Sequence, residues 1–204
     1  MKLILSKIKT YFGKLDKLLL FMCMGIACFA VFIQYTLYEN DISSAVTASQ
    51  YKTPIIAFLA GIVIAMALAA INYKYLAKLW FIYVPLAMGL TLLLFTPLGI
   101  QREGADDIGW LDLGIMTIQP SEILKLAFIL SLAVHLSKVE DRMNEPIHFI
   151  LLCIHGAIPT LLIRQTGDDG SALVFLFIFI CMMFAAGLSW KYLVMIAVAI
   201  PPAV

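Results

Sequence analysis

The chain has little charge: 13% of its 204 residues are Asp, Glu, Lys or Arg, against about 25% in an ordinary soluble domain. A net charge of +1 excludes the broad basic surface by which proteins hold nucleic acid, so no nucleic-acid partner is expected. Cysteine is also scarce. Cys23, Cys28, Cys153 and Cys181 form no Cys-x-x-Cys pair and all fall in apolar runs. They read as small buried hydrophobes, with neither disulfide nor metal expected. There is no glycine-rich nucleotide loop, no zinc signature and no internal repeat, which removes the common soluble cofactor classes. What remains is grease: 63% of the residues are hydrophobic and the mean hydropathy is +0.99, the composition of a polytopic membrane protein.

The apolar residues come in runs with polar punctuation. Residues 1–17 hold Lys2, Lys7, Lys9, Lys14 and Lys17 among Leu, Ile, Tyr and Phe, an interfacial amphipathic segment on the cytoplasmic side. The run over 18–38 lacks the small-residue cleavage site that follows a short signal-peptide core, so it is expected to stay as a first span. Further spans are expected over 54–71, 80–95, 121–136, 146–163 and 171–186. Pro54 and Pro146 open the second and fifth, Pro85 and Pro159 lie inside the third and fifth, and Pro97 follows the third. Residues 193–204 are apolar to the end but fall short of the about 20 residues that a span requires. The expected fold is all-α: a transmembrane helical bundle over 18–204 with about six complete spans and a truncated seventh.

The basic residues sort by side. Lys74 and Lys78, Lys138 and Arg142, and Lys191 share the side of the N-terminal lysines, whereas Lys52, Arg102 and Arg164 occupy the alternate loops. That asymmetry places the N-terminus in the cytoplasm and the loops 39–53, 98–118 and 164–170 outside. The outer loops also carry Asp106, Asp107, Asp112, Asp168 and Asp169, so chemistry is expected on the outer face.

One stretch stands apart, Gln119-Pro120-Ser121-Glu122-Ile123-Leu124-Lys125. Pro120 suits the first position of a helix, and Glu122 sits where a carboxylate favours the free N–H groups of the first turn. Glu122 and Lys125 are three apart and share a helical face. Charges at the edge of hydrocarbon are expensive, so the pair either lines a cavity or neutralises itself as a helix support. Asp168 and Asp169 read as a solvated turn and helix cap or as part of that cavity. Asp106 and Asp107 read as a solvated loop or a cation contact. Of the three histidines, His135 lies four residues from Ser131, a spacing better suited to a cross-helix hydrogen bond than to a proton relay.

Gln119-Pro120-Ser121-Glu122 with Lys125, preceded by Gly104-Ala105 and Trp110 in an outward loop, resembles the signature of the SEDS family, the RodA and FtsW proteins of shape, elongation, division and sporulation. A second likeness lies in Asp168-Asp169-Gly170-Ser171-Ala172 and in Ala186-Gly187-Leu188-Ser189-Trp190. Leu15-Asp16 before the first span is also typical of the family. The likeness covers essentially the whole chain, and only the first part of the family fold.

The resemblance implies a bacterial glycosyltransferase of the cytoplasmic membrane that polymerises lipid II into peptidoglycan at the outer face, with a class B penicillin-binding protein as partner and membrane lipids around it. A sugar hydroxyl attacks an anomeric carbon whose leaving group is a lipid diphosphate, so the reaction needs a carboxylate base and cationic help for the phosphates. The family's catalytic aspartate lies in a large outward loop after the seventh span, so no catalytic residue is expected before Val204. Substrate-cavity candidates are Gln119, Ser121, Glu122, Lys125 and Asp168, and outward-loop candidates are Trp110, Asp106 and Asp107. No cofactor is expected in this chain, with a divalent cation left open for the complete enzyme. The chain departs from the family where it reads Gly104-Ala105-Asp106-Asp107-Ile108-Gly109-Trp110, with acids in place of the arginine before the tryptophan, and where Gly167 stands for a proline. Two alternatives stay open: a non-catalytic SEDS-like component that binds a partner or lipid, and a lipid flippase or transporter using the Glu122 and Lys125 pair.

Overall fold

The structure, a computed structural model, describes residues 16–39, 48–71, 73–102, 104–114 and 117–199. The basic segment expected over 1–17 lies almost wholly outside these, as do residues 200–204 of the last apolar run. The chain divides into two compact units, Met1–Tyr73 and Lys74–Val204.

The first unit is a pair of packed helices, α1 (Lys17–Glu39) and α2 (Ala48–Ala70). Asp16 starts α1: its Oδ1 accepts the Leu19 N–H at 3.0 Å, which satisfies one of the donors that a helix start leaves free. The second helix begins at Ala48, earlier than Pro54 suggested. Ala48 and Gln50 are good helix formers, so the proline falls in the second turn instead of opening the helix.

The second unit begins within the short helix α3 (Tyr73–Lys78), which carries Lys74 and Lys78, and continues through α4 (Trp80–Leu92), α5 (Pro120–Lys138), α6 (Pro146–Arg164), α7 (Asp169–Ala185) and α8 (Trp190–Ala199). Pro120 and Pro146 take the first turns of α5 and α6, where the missing N–H costs nothing. The helix α8 starts at Trp190, inside the stretch expected to be a turn.

The apolar helices follow the expected order. Among the described residues, Lys17–Leu37, Pro120–Lys138 and Pro146–Arg164 are long and apolar enough to cross a membrane, and Ile55–Leu68, Trp80–Phe95 and Asp169–Ala185 are shorter apolar helices. The long 98–118 connection is not plain loop. It folds as a three-stranded antiparallel sheet of β1 (Gly99–Ile100), β2 (Trp110–Asp112) and β3 (Thr117–Ile118), with Ile100 opposite Trp110 and Leu111 opposite Ile118. Such a sheet pairs backbone groups that a polar loop beside hydrocarbon would leave unsatisfied.

The core of this unit lies between α5, α6 and α7. On α5 the buried residues are Ser121, Leu124, Ala127, Phe128, Ser131, Leu132 and Leu136, the three-and-four spacing of one helical face. Leu152 and Ile163 of α6 and Phe175 and Met183 of α7 are fully buried against them. In lipid such contacts act by close packing and small residues. Gly156 lets α6 approach α7 closely: a Cβ added there would lie 2.6 Å from the Phe179 ring. The cysteines depart from expectation. Cys23, Cys28 and Cys181 are exposed and Cys153 is intermediate, because the outer face of a membrane helix meets lipid and places no demand on an apolar thiol to be inside.

Candidate functional site

The site is built where two connections meet at one end of the second unit. The 98–118 connection and the turn before α7 are joined by a backbone hydrogen bond from the Ile108 N–H to the Thr166 carbonyl at 2.9 Å. Gly167 makes the meeting feasible. Its φ of +86° is closed to proline, whose ring holds φ negative, and a Cβ there would press on the Asp107 Cα at 3.3 Å. The departure at Gly167 is therefore tied to the altered acidic loop that packs on it.

Around this junction the expected residues fall into three groups. The strand β3 leads into Gln119, extended at the head of α5, whose amide nitrogen approaches Gly109. One turn on, Lys125 Nζ donates to Glu122 Oε1 at 2.6 Å, with the lysine side chain 17% and the glutamate 61% exposed. Ser121 is buried, and its Oγ has no hydrogen-bond partner among the described residues. Asp168 caps α7, its Oδ1 accepting the Ser171 N–H at 2.8 Å. The next residue, Asp169, faces Arg164 with Oδ1 and Nε 3.6 Å apart. Asp106 is exposed and Asp107 half-buried against Gly167. The structure gathers Gln119, Asp107 and the turn holding Asp168 at one end of the unit, and leaves Glu122 bound to Lys125 alone.

One cation escaped the sequence reading. The Arg102 guanidinium sits over the Trp110 ring, its Cζ 3.4 Å from the ring centroid. Pairing of Ile100 with Trp110 brings it there, although eight residues separate the two in sequence. A guanidinium stacked this way keeps its edge N–H donors free for an anion. Strands of two and three residues show no readable alternation, so the sequence held no signal for this contact.

Among the described residues no three His, Cys, Asp or Glu side chains come together.

The histidines were also only half read. Ser131 and His135 both reach across to His155 on α6, Ser131 Oγ to His155 Nε2 at 3.0 Å and His135 Nδ1 to His155 Nδ1 at 3.1 Å. The expected cross-helix bonding is present, and the sequence did not name its partner.

Comparison with known proteins places these features. Residues 14–204 match the cell cycle protein family of FtsW, RodA and SpoVE. A probable peptidoglycan glycosyltransferase FtsW of Geobacter sp. (strain M18) is 32% identical over 200 residues, covering 91% of this chain and 52% of that protein. The peptidoglycan glycosyltransferase MrdB of Escherichia coli (strain K12) is 27% identical over 202 residues, covering 95% and 51%. A crystal structure of a rod shape determining protein RodA variant of Thermus thermophilus superposes with a TM-score of 0.63 at 25% identity, covering 83% of this chain and 55% of that one. A chain of a peptidoglycan synthase complex, described as coordinating polymerization and crosslinking, gives 0.65 at 26% identity, covering 85% and 51%. The chain spans about half the length of the curated relatives it matches.

Proposed function

Because the chain belongs to the cell cycle protein family of FtsW, RodA and SpoVE, we propose that it forms the N-terminal portion of a peptidoglycan glycosyltransferase fold that acts on lipid II at the outer face of a bacterial cytoplasmic membrane. The observation that carries this reading is the junction at the head of α5, where the Ile108 to Thr166 bond brings the two loops together and Arg102 lies stacked on Trp110. Chemically this end can hold a substrate and does not by itself break a bond. The Arg102 guanidinium offers a fork to a diphosphate, the role that charge-assisted hydrogen bonds fill best. Gln119 supplies a polar group at the head of α5, Asp168 and the α7 start fix the facing turn, and the Lys125 ammonium behind them is neutralised by Glu122. Trp110 presents an apolar face to a sugar or lipid. A class B penicillin-binding protein is the expected partner.

The test is binding of fluorescent lipid II to the full chain in lipid nanodiscs. Arg102→Ala is expected to weaken binding about tenfold, the loss of roughly one charged hydrogen bond. Unchanged binding would remove the diphosphate role. The acids beside Trp110 favour a second reading, a non-catalytic component that binds the partner. It predicts capture of a class B penicillin-binding protein with no lipid II binding at all.

A further inference from the structure

The polar groups between α5 and α6, the buried Ser131 and the half-buried His135 and His155, are not used by the site above, and their hydrogen atoms can be placed by elimination. Ser131 has one hydroxyl hydrogen, and its Oγ lies 3.1 Å from the Phe128 carbonyl, which can only accept. The Ser131 oxygen must then accept from His155, so His155 carries its hydrogen on Nε2 and leaves Nδ1 bare. Facing that bare nitrogen at 3.1 Å is His135 Nδ1, which must supply an N–H. Among neutral rings only this arrangement satisfies all three contacts. It runs from His135 Nδ1–H to His155 Nδ1, from His155 Nε2–H to Ser131 Oγ, and from Ser131 O–H to the Phe128 carbonyl.

The chain of bonds tolerates one further proton. Water at the membrane surface can deliver it to the remaining lone pair, His135 Nε2, converting that ring to an imidazolium without disturbing any of the three contacts. A second proton has no such place. It adds to His155 Nδ1, so two N–H groups confront each other across the same gap and two cationic rings stand 5.3 Å apart.

We propose that Ser131, His155 and His135 form a proton-gated tie between α5 and α6, which holds with no more than one proton beyond the neutral pair and opens with two. The surroundings suit the role. The other titratable groups acting on the pair are Lys138 on α5 and His148 on α6, and His148 is itself engaged by Glu145 with Nε2 and Oε2 3.6 Å apart. No carboxylate is hydrogen-bonded to either imidazole among the described residues. The sides turned toward α4 and α7 are apolar: Val84 and Met88 border the pocket of about 220 Å³ that Ser131 and His155 line, and Phe128 packs between the His155 and Phe175 rings. A doubly charged pair therefore finds no counter-charge in place, and parting of the helices is what relieves it. Since Gln119 is the cap at the start of α5, the tie controls how firmly the helix that carries the candidate site is held. The inference rests on the α5 and α6 interface alone and stands whether or not lipid II is the substrate.

The experiment uses the full chain in nanodiscs with ¹⁵N-labelled histidine. Near neutral pH the tie predicts one ring protonated at Nε2, the other at Nδ1, and a scalar coupling between the two facing nitrogens. The coupling should vanish on titration from about pH 8 to about pH 4, the range in which imidazoles charge. In parallel, spin labels at the exposed Ser137 and Ile147, with the four native cysteines replaced by alanine, report the gap between α5 and α6. That distance should lengthen with acid in the parent chain and stay constant in His155→Gln, whose amide can still donate to Ser131 but cannot take a proton. Absence of internitrogen coupling at neutral pH overturns the proposal on the parent chain alone, even where His155→Gln does not fold. Acid-induced lengthening that persists in His155→Gln overturns it as well.

Discussion

The two ends of α5 solve the problem of polar groups in a membrane differently. Around the Gln119 end two polar pairs lie within a turn of one helix, Lys125 with Glu122 on α5 and Asp168 with the Ser171 N–H at the start of α7, at 2.6 and 2.8 Å, and Arg164 at the end of α6 faces Asp169. Their outer edges stay open to solvent. Toward the other end, Ser131 and His135 are paired with a residue 24 and 20 positions away in sequence. On the proposed function the first end receives something from outside, whereas the second keeps its hydrogen bonds between helices. Local pairing leaves a group available to a ligand, whereas cross-helix pairing spends its hydrogen bonds on holding the bundle.

If this contrast is right, disturbing the closed region should cost far more stability than disturbing the open one. The largest effect is expected for Gly156→Val, which drives a side chain into the Phe179 ring. Overpacking of this kind costs about 1–3 kcal/mol, measurable as earlier unfolding of the reconstituted chain in mixed micelles of increasing denaturing detergent. A loss below about 0.5 kcal/mol would mean that α6 and α7 are not packed as described. The smallest effect is expected for Glu122→Gln. It breaks the pair with Lys125, but the glutamate is 61% exposed, so the same unfolding measurement should shift by less than about 1 kcal/mol. A larger shift would move Glu122 from the open end into the structural core.

The contrast also explains what was legible in the sequence. Helices were readable because lipid demands long apolar runs with every backbone group paired internally, and Pro120 and Pro146 marked two starts. The local polar pairs were readable because three residues apart on a helix means the same face, so Glu122 with Lys125 and the cap at Asp168 could be inferred. Long-range pairings left no such trace. The partner of Ser131 proved to be His155 because α6 folds back on α5, and Arg102 reached Trp110 because a short sheet turns the chain around. Gly167 was visible as a departure from the family, and its reason, a positive φ beside Asp107, appeared only with the fold.

The most direct test of this division is site-specific photocrosslinking of lipid II to the full chain in nanodiscs, with a photoreactive residue placed at the exposed Leu113, in the connection that leads to the open end, or at the exposed Ser137, near the other end of α5. The account predicts a crosslink at Leu113 that unlabelled lipid II competes away and none at Ser137. Equal crosslinking at both positions, or crosslinking at Ser137 alone, would contradict it.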